Sequence, residues 1–138
     1  MGVSTDAYLW WGYNDATGQE SGLPEYVVEH LRQHPIDHPK FKRFEPDELE
    51  DVLYFVLKGY GVELVGHCSS EYRMYGLAVS APRITAWRGH PKQISLAAAE
   101  ASLTEPTDEW KALLKRGADL LGWPTDKEPG WWLASYWG

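Results

Sequence analysis

Val62-Glu63-Leu64-Val65-Gly66-His67-Cys68, then Ser69-Ser70-Glu71-Tyr72, then Arg73-Met74-Tyr75-Gly76-Leu77-Ala78-Val79-Ser80 is the stretch on which the fold turns. Before it, apolar residues recur every three or four positions. Within it they alternate in twos, the repeat of a β-strand. Residues 62–68, 73–80 and 83–88 therefore read as strands of a meander, joined by Ser69-Ser70-Glu71 and by Ala81-Pro82. Small residues on one face of the middle strand, Gly76 and Ala78, call for something bulky packed closely against it.

Working backward, Leu49, Val52, Leu53 and Val56 make the buried stripe of a helix opened by Pro46 and closed by Gly59 and Gly61. A shorter helix is expected over about 24–34, begun by Pro24 and stopped by Pro35. The segment from Pro35 to Phe44 reads as a surface loop, and Asn14 to Gly22, rich in Gly, Asp, Thr and Ser, as another. Residues 3–13 alternate with aromatics on both faces, which suggests a strand covered on both sides or meeting a partner.

Working forward, residues 94–103 favour a short helix by propensity. Thr107 caps a clearer helix whose stripe is Trp110, Leu113, Leu114, Gly117, Ala118 and Leu121. Trp131 to Trp137 is too apolar for a loose end and reads as the last strand. The order β-α-α-β-β-β-α-β predicts an α+β fold, a mainly antiparallel sheet of about five strands with about three helices packed on one face. The two terminal strands should be neighbours or edges. One domain over 1–138 is expected, since the chain has no repeat or linker and falls within the size of a single core.

The net charge of −7 argues against a nucleic-acid partner that works through a broad phosphate-binding surface. Cys68 is the single cysteine, so no internal disulfide is possible and a reducing cytoplasm is expected. No run approaches the roughly 20 apolar residues of a membrane span, and neither a secretory leader nor a lipid anchor is expected at the start.

Chemistry-bearing residues are few. His67 and Cys68 adjoin, with His90 in a turn further on, and a nucleophilic thiol needs such a base. Neighbours on a strand point to opposite faces, however, so His67 should not serve Cys68, and a packed thiol is the plainer reading. His30 and His34 lie one helical turn apart with His38 beyond, a spacing that can share a metal. The Glu of a zinc-protease pattern is missing, and histidines suit a helix C-terminus anyway, so no metal and no cofactor is expected. Glu45, Asp47, Glu48, Glu50 and Asp51 gather at a helix start, where they read as a solvated, dipole-favoured face. Lys40, Lys42 and Arg43 with Phe41 and Phe44 offer too little charge to hold a single strand of nucleic acid.

Aromatic density is the remaining feature. With eight Trp and eight Tyr, more rings fall on strands than one small sheet can hide. Trp10, Trp132, Tyr136, Glu48 and Asp51 are therefore the expected binding residues, an aromatic and acidic surface.

Ser4 to Leu9, His67-Cys68-Ser69 with Met74-Tyr75, Ala86 to Pro91 and Pro129 to Gly138 together resemble a group of uncharacterised small proteins encoded by bacteriophages and by prophage-carrying bacteria. The resemblance carries no catalytic residue. It implies a phage context only. Because small phage proteins without a catalytic signature often act by binding a host protein, the expected function is that of an accessory protein in the host cytoplasm that binds a host protein, inhibition of a defence system such as CRISPR being one form of it. The alternative is a small enzyme or ligand-binding domain using Cys68, His67 and His90.

Overall fold

The computed structural model describes residues 5–19, 22–41, 48–93, 95, 97 and 105–137. The expected order holds: β1 (Thr5–Gln19), α1 (Glu25–Gln33), a 3-10 turn (Pro39–Phe41), α2 (Leu49–Lys58), β2 (Val62–Ser69), β3 (Arg73–Val79), β4 (Ile84–Ala86), α3 (Asp108–Leu121) and β5 (Gly130–Trp137). Lys42 to Asp47, including Pro46 and most of the basic run, lies outside the described residues, as does most of 94–103, where a short helix is expected. No helix among the described residues is long and apolar enough to cross a membrane.

The fold is α+β, with a five-stranded sheet in the order β3-β2-β5-β1-β4. It is mainly antiparallel. The exception is the short parallel contact of β2 with β5, at Cys68↔Tyr136 and Ser69↔Trp137. The terminal strands pair along the whole of β5 and the first half of β1, from Thr5↔Trp137 to Gly12↔Gly130.

On its other edge β1 takes β4 at Ala7 to Leu9 and then β3 from Gly12 onward. Thus β3 and β4 act as two halves of one partner strand, interrupted by Ser80 to Arg83. Because β3 also pairs with β2, strand contacts run in a closed circuit β1–β3–β2–β5–β1. Closure of this kind leaves little unpaired edge.

β1 is longer than its composition suggests. The loop expected from Asn14 onward is instead strand to Gln19, paired as Asn14↔Gly76, Asp15↔Tyr75 and, after an irregularity, Gln19↔Arg73. Backbone pairing needs no apolar side chain, and Tyr26 fastens this extension to α1 by donating to Asp15 at 2.7 Å.

The two faces of the sheet bury different things. Trp11, Leu64, Tyr75, Leu77 and Val79 face the helices and pack with Val27 and Leu31 of α1, Leu53 and Leu57 of α2, and Leu114 and Leu121 of α3. This is the main core, formed where the helical stripes predicted it. Thr107 caps α3 by accepting from the Trp110 N–H at 3.1 Å. The opposite face holds a second, smaller core of Tyr8, Trp10, Val65 and Ala78, with Ala134 and Tyr136 against it. A Cβ placed on Gly76 would sit 2.6 Å from the Trp10 indole, so the small face of β3 is small to admit that ring.

Candidate functional site

His67 is buried at the edge of the second core. Its Nε2 lies 2.6 Å from the Asn14 side-chain oxygen, and its ring centroid 5.4 Å from that of Trp10. An amide oxygen accepts only, so Nε2 carries the proton. Burial pushes the imidazole below its ordinary value, which keeps it neutral. Asn14 was not among the residues singled out from sequence; it comes within reach only because β1 continues past Gly12.

A folded histidine that resists protonation destabilises the protein in acid. The unfolded chain takes up that proton as pH falls below about 6.5, whereas the folded chain does not until lower pH. Stability should therefore decline from pH 7.5 to 5.5, and His67→Gln should flatten the decline. Urea midpoints at the two pH values measure it; equal slopes for both proteins would refute the assignment.

Cys68 is half-buried and follows His67, with φ at 74°, the left-handed region that side chains avoid. It is the residue at which β2 meets both Arg73 of β3 and Tyr136 of β5. His90 lies exposed in the turn after β4, bridged to Trp87. The hydrogen bond of His67 goes to Asn14 rather than to Cys68 or His90. Left-handed backbone costs a residue with a Cβ roughly 1–2 kcal/mol. Cys68→Gly is thus expected to raise stability by about 0.5–1 kcal/mol, visible as a higher denaturant midpoint.

The rings of His30 and His34 lie 4.9 Å apart, while His38 Nδ1 accepts from the Lys40 N–H at 3.1 Å. Among the described residues no three His, Cys, Asp or Glu side chains are grouped to hold a metal ion.

The expected aromatic surface divides. Trp10 is completely buried, so it belongs to the core and presents nothing to a partner. Its Nε1 donates to the Tyr13 carbonyl at 3.1 Å. Trp132 is partly exposed, but its Nε1 is engaged with the Gly12 carbonyl at 3.0 Å. Tyr136 is half-buried, and Glu48 and Asp51 lie exposed at the start of α2.

What the sequence reading passed over is the reverse of β5. Leu133 is 77% exposed and Trp137 54%. The helices reach only as far as the Trp11–Trp131 row, where Trp110 of α3 covers them. Among the described residues no helix covers the same face beyond that row. Leu9 lies between Ile84 and Leu133, Ala7 between Ala86 and Ser135, and Thr5 beside Trp137. None of these residues is charged. An uncharged face that exposes a leucine and a tryptophan side by side with small residues, on a chain this acidic, is unusual for a surface exposed only to water.

On the opposite face of β1 and β5 is a polar cleft of about 210 Å³ where α2, the β2–β3 hairpin and the β4 turn meet. Arg73 donates to Glu50 at 2.6 Å and lies 3.4 Å from the Tyr75 hydroxyl. Burial, the largest influence on Tyr75, pushes its phenol up to about 12. Arg83 donates to Glu63 and sits over the Tyr8 ring at 5.4 Å. Beside the cleft, Arg88 clasps buried Asp6 through its side-chain and backbone N–H groups at 2.7–3.1 Å, and those hydrogen bonds hold the Asp6 carboxyl below its usual range. No family model matches this chain, and neither does any curated protein or solved structure.

Proposed function

We propose that this protein acts by binding a basic host protein through the uncovered face of β4, β1 and β5. The observation that carries the reading is Leu133, 77% exposed in the middle of an uncharged patch with no helix of the described residues over it. Aromatic and aliphatic side chains that are already fixed on strands lose little entropy on binding, which suits them as anchors.

Charge argues for the kind of partner. At −7 two copies repel each other, whereas a basic protein is drawn in from a distance before the neutral face makes contact. Proteins that handle nucleic acid carry such basic surfaces. The resemblance to phage-encoded proteins supplies a setting, the cytoplasm of a bacterial host, and the specific reading is inhibition of a defence system such as a CRISPR effector.

The test uses the intact protein and Leu133→Asp, a substitution at an exposed site that the fold should tolerate. A bacterial protein captured by the first and lost by the second, whose purified form then binds more weakly as salt rises, supports the reading. In a CRISPR interference assay, the wild type should protect phage DNA and the variant should not. Identical capture and identical protection by both proteins would sink it.

A further inference from the structure

We propose a second binding site, independent of that face: the cleft between α2, the β2–β3 hairpin and the β4 turn takes a neutral, planar heteroaromatic ring of nucleobase type. Its size suits one ring system. About 210 Å³ equals the liquid volume of about seven waters, enough for a base but not for a whole nucleotide.

Its charge excludes a strong anion as the preferred ligand. Arg73 already faces Glu50, and Arg83 already faces Glu63, so a phosphate would have to displace a carboxylate from its guanidinium. Its walls favour a flat ring. Tyr54 from α2 and Trp87 from the β4 turn both line the cleft and are 47% and 59% exposed, with Tyr8 edge-on to Trp87 at 6.4 Å. Aromatic surfaces contributed by separate elements are what a stacked base requires.

One group in the cleft lacks what a base could supply. Arg83 Nε is buried with no hydrogen-bond partner. A buried donor left unmade is costly, and a turn of the Arg83 side chain toward the cleft it lines would let a ring nitrogen or carbonyl satisfy it without adding charge beside Glu63. The arginine–carboxylate pair of Arg73 and Glu50 adds an adjacent donor and acceptor, the pattern that the edge of a base presents in complement.

The experiment titrates the ¹⁵N-labelled full chain with adenosine, guanosine, cytidine and uridine to millimolar concentration, with glucose and adenosine 5′-monophosphate as further arms. At least one nucleoside should shift both the Arg83 Nε–H and the Trp87 indole N–H resonances. Trp87→Ala should weaken that binding about tenfold or more, as loss of a stacking ring does. Arg83→Lys, which keeps the charge opposite Glu63, should also weaken it, whereas Leu133→Asp should leave it unchanged. No shift with any nucleoside overturns the proposal. So does equal binding of glucose, or monophosphate binding more than tenfold tighter than its nucleoside, because the ring would then not be what is recognised. Since Leu133 lies on the other face, neither result bears on the protein-binding reading.

Discussion

Gly12→Ala is expected to lose about 3–5 kcal/mol of stability, the sum of a disfavoured backbone and an overfilled site. Gly12 is the point at which β1 changes partners. Along β1 the pairing with β5 stops here, at Gly130, and on the other edge the pairing with β3 starts, at Ala78. Its φ is 155°, and a Cβ there would fall 2.0 Å from the Leu77 carbonyl oxygen. That oxygen is backbone within a paired strand, so it cannot turn aside as a side chain would. The Gly12 carbonyl also receives the Trp132 indole, and any shift that relieves the overlap disturbs this bond. A domain of this size has roughly 5–15 kcal/mol in total, so the loss should lower the thermal midpoint by on the order of 10–20 °C. A midpoint within a few degrees of wild type would show that the strand crossing is looser than described.

Trp10→Ala should cost a comparable amount, about 3–5 kcal/mol, because the indole is fully buried and the strands around it cannot collapse into the space. The indole fills the gap left by Gly76, packs on His67 and donates to the Tyr13 carbonyl. The reciprocal change is equally informative. Gly76→Ala puts a methyl 2.6 Å from the Trp10 ring and should destabilise by about 1–3 kcal/mol. In a Trp10→Phe background the smaller ring leaves room for that methyl. The double variant should then be more stable than the two single losses predict, by about 1 kcal/mol. Additive losses would mean that the two residues do not share a contact.

Local patterns carried most of the architecture into view. The stripes of Val27 and Leu31, of Leu53 and Val56, and of Leu114 and Leu121 place α1, α2 and α3 because a helix repeats within one turn. The switch to alternation at Val62 marks β2 and β3 for the same reason. What alternation cannot say is which face is covered when both carry rings. Trp10 and Trp132 share one face, Trp11 and Trp131 the other, and each set is apolar. The covering depends on how far the helices extend across the sheet and on whether the strands close upon themselves. Both are tertiary facts. Trp10 therefore proved to be core, and Leu133, with an ordinary name in a tail of tryptophans, proved to be surface.

The cleft was hidden more deeply. Arg73, Arg83 and Glu50 lie far apart in the chain and look like ordinary solvated charges one at a time. Only the break between β3 and β4 and the seam between β2 and β5 bring them together. The polar extension of β1 escaped notice for a related reason: its pairing with Gly76 and Tyr75 is made by main-chain groups, on which side-chain hydropathy is silent.

The pairing of Thr5 with Trp137 has a consequence for synthesis. A ribosome releases β1 more than a hundred residues before β5 is made, so β1 must wait with one of its edges vacant. Contacts so remote in sequence delay closure of the fold, since a large loop has to be ordered before the pairing rewards it. During that interval the nascent chain displays two adjacent tryptophans on an open strand, a natural substrate for chaperones. Emergence of β5, rather than growth of the helices, should set the moment at which this fold becomes resistant to proteases.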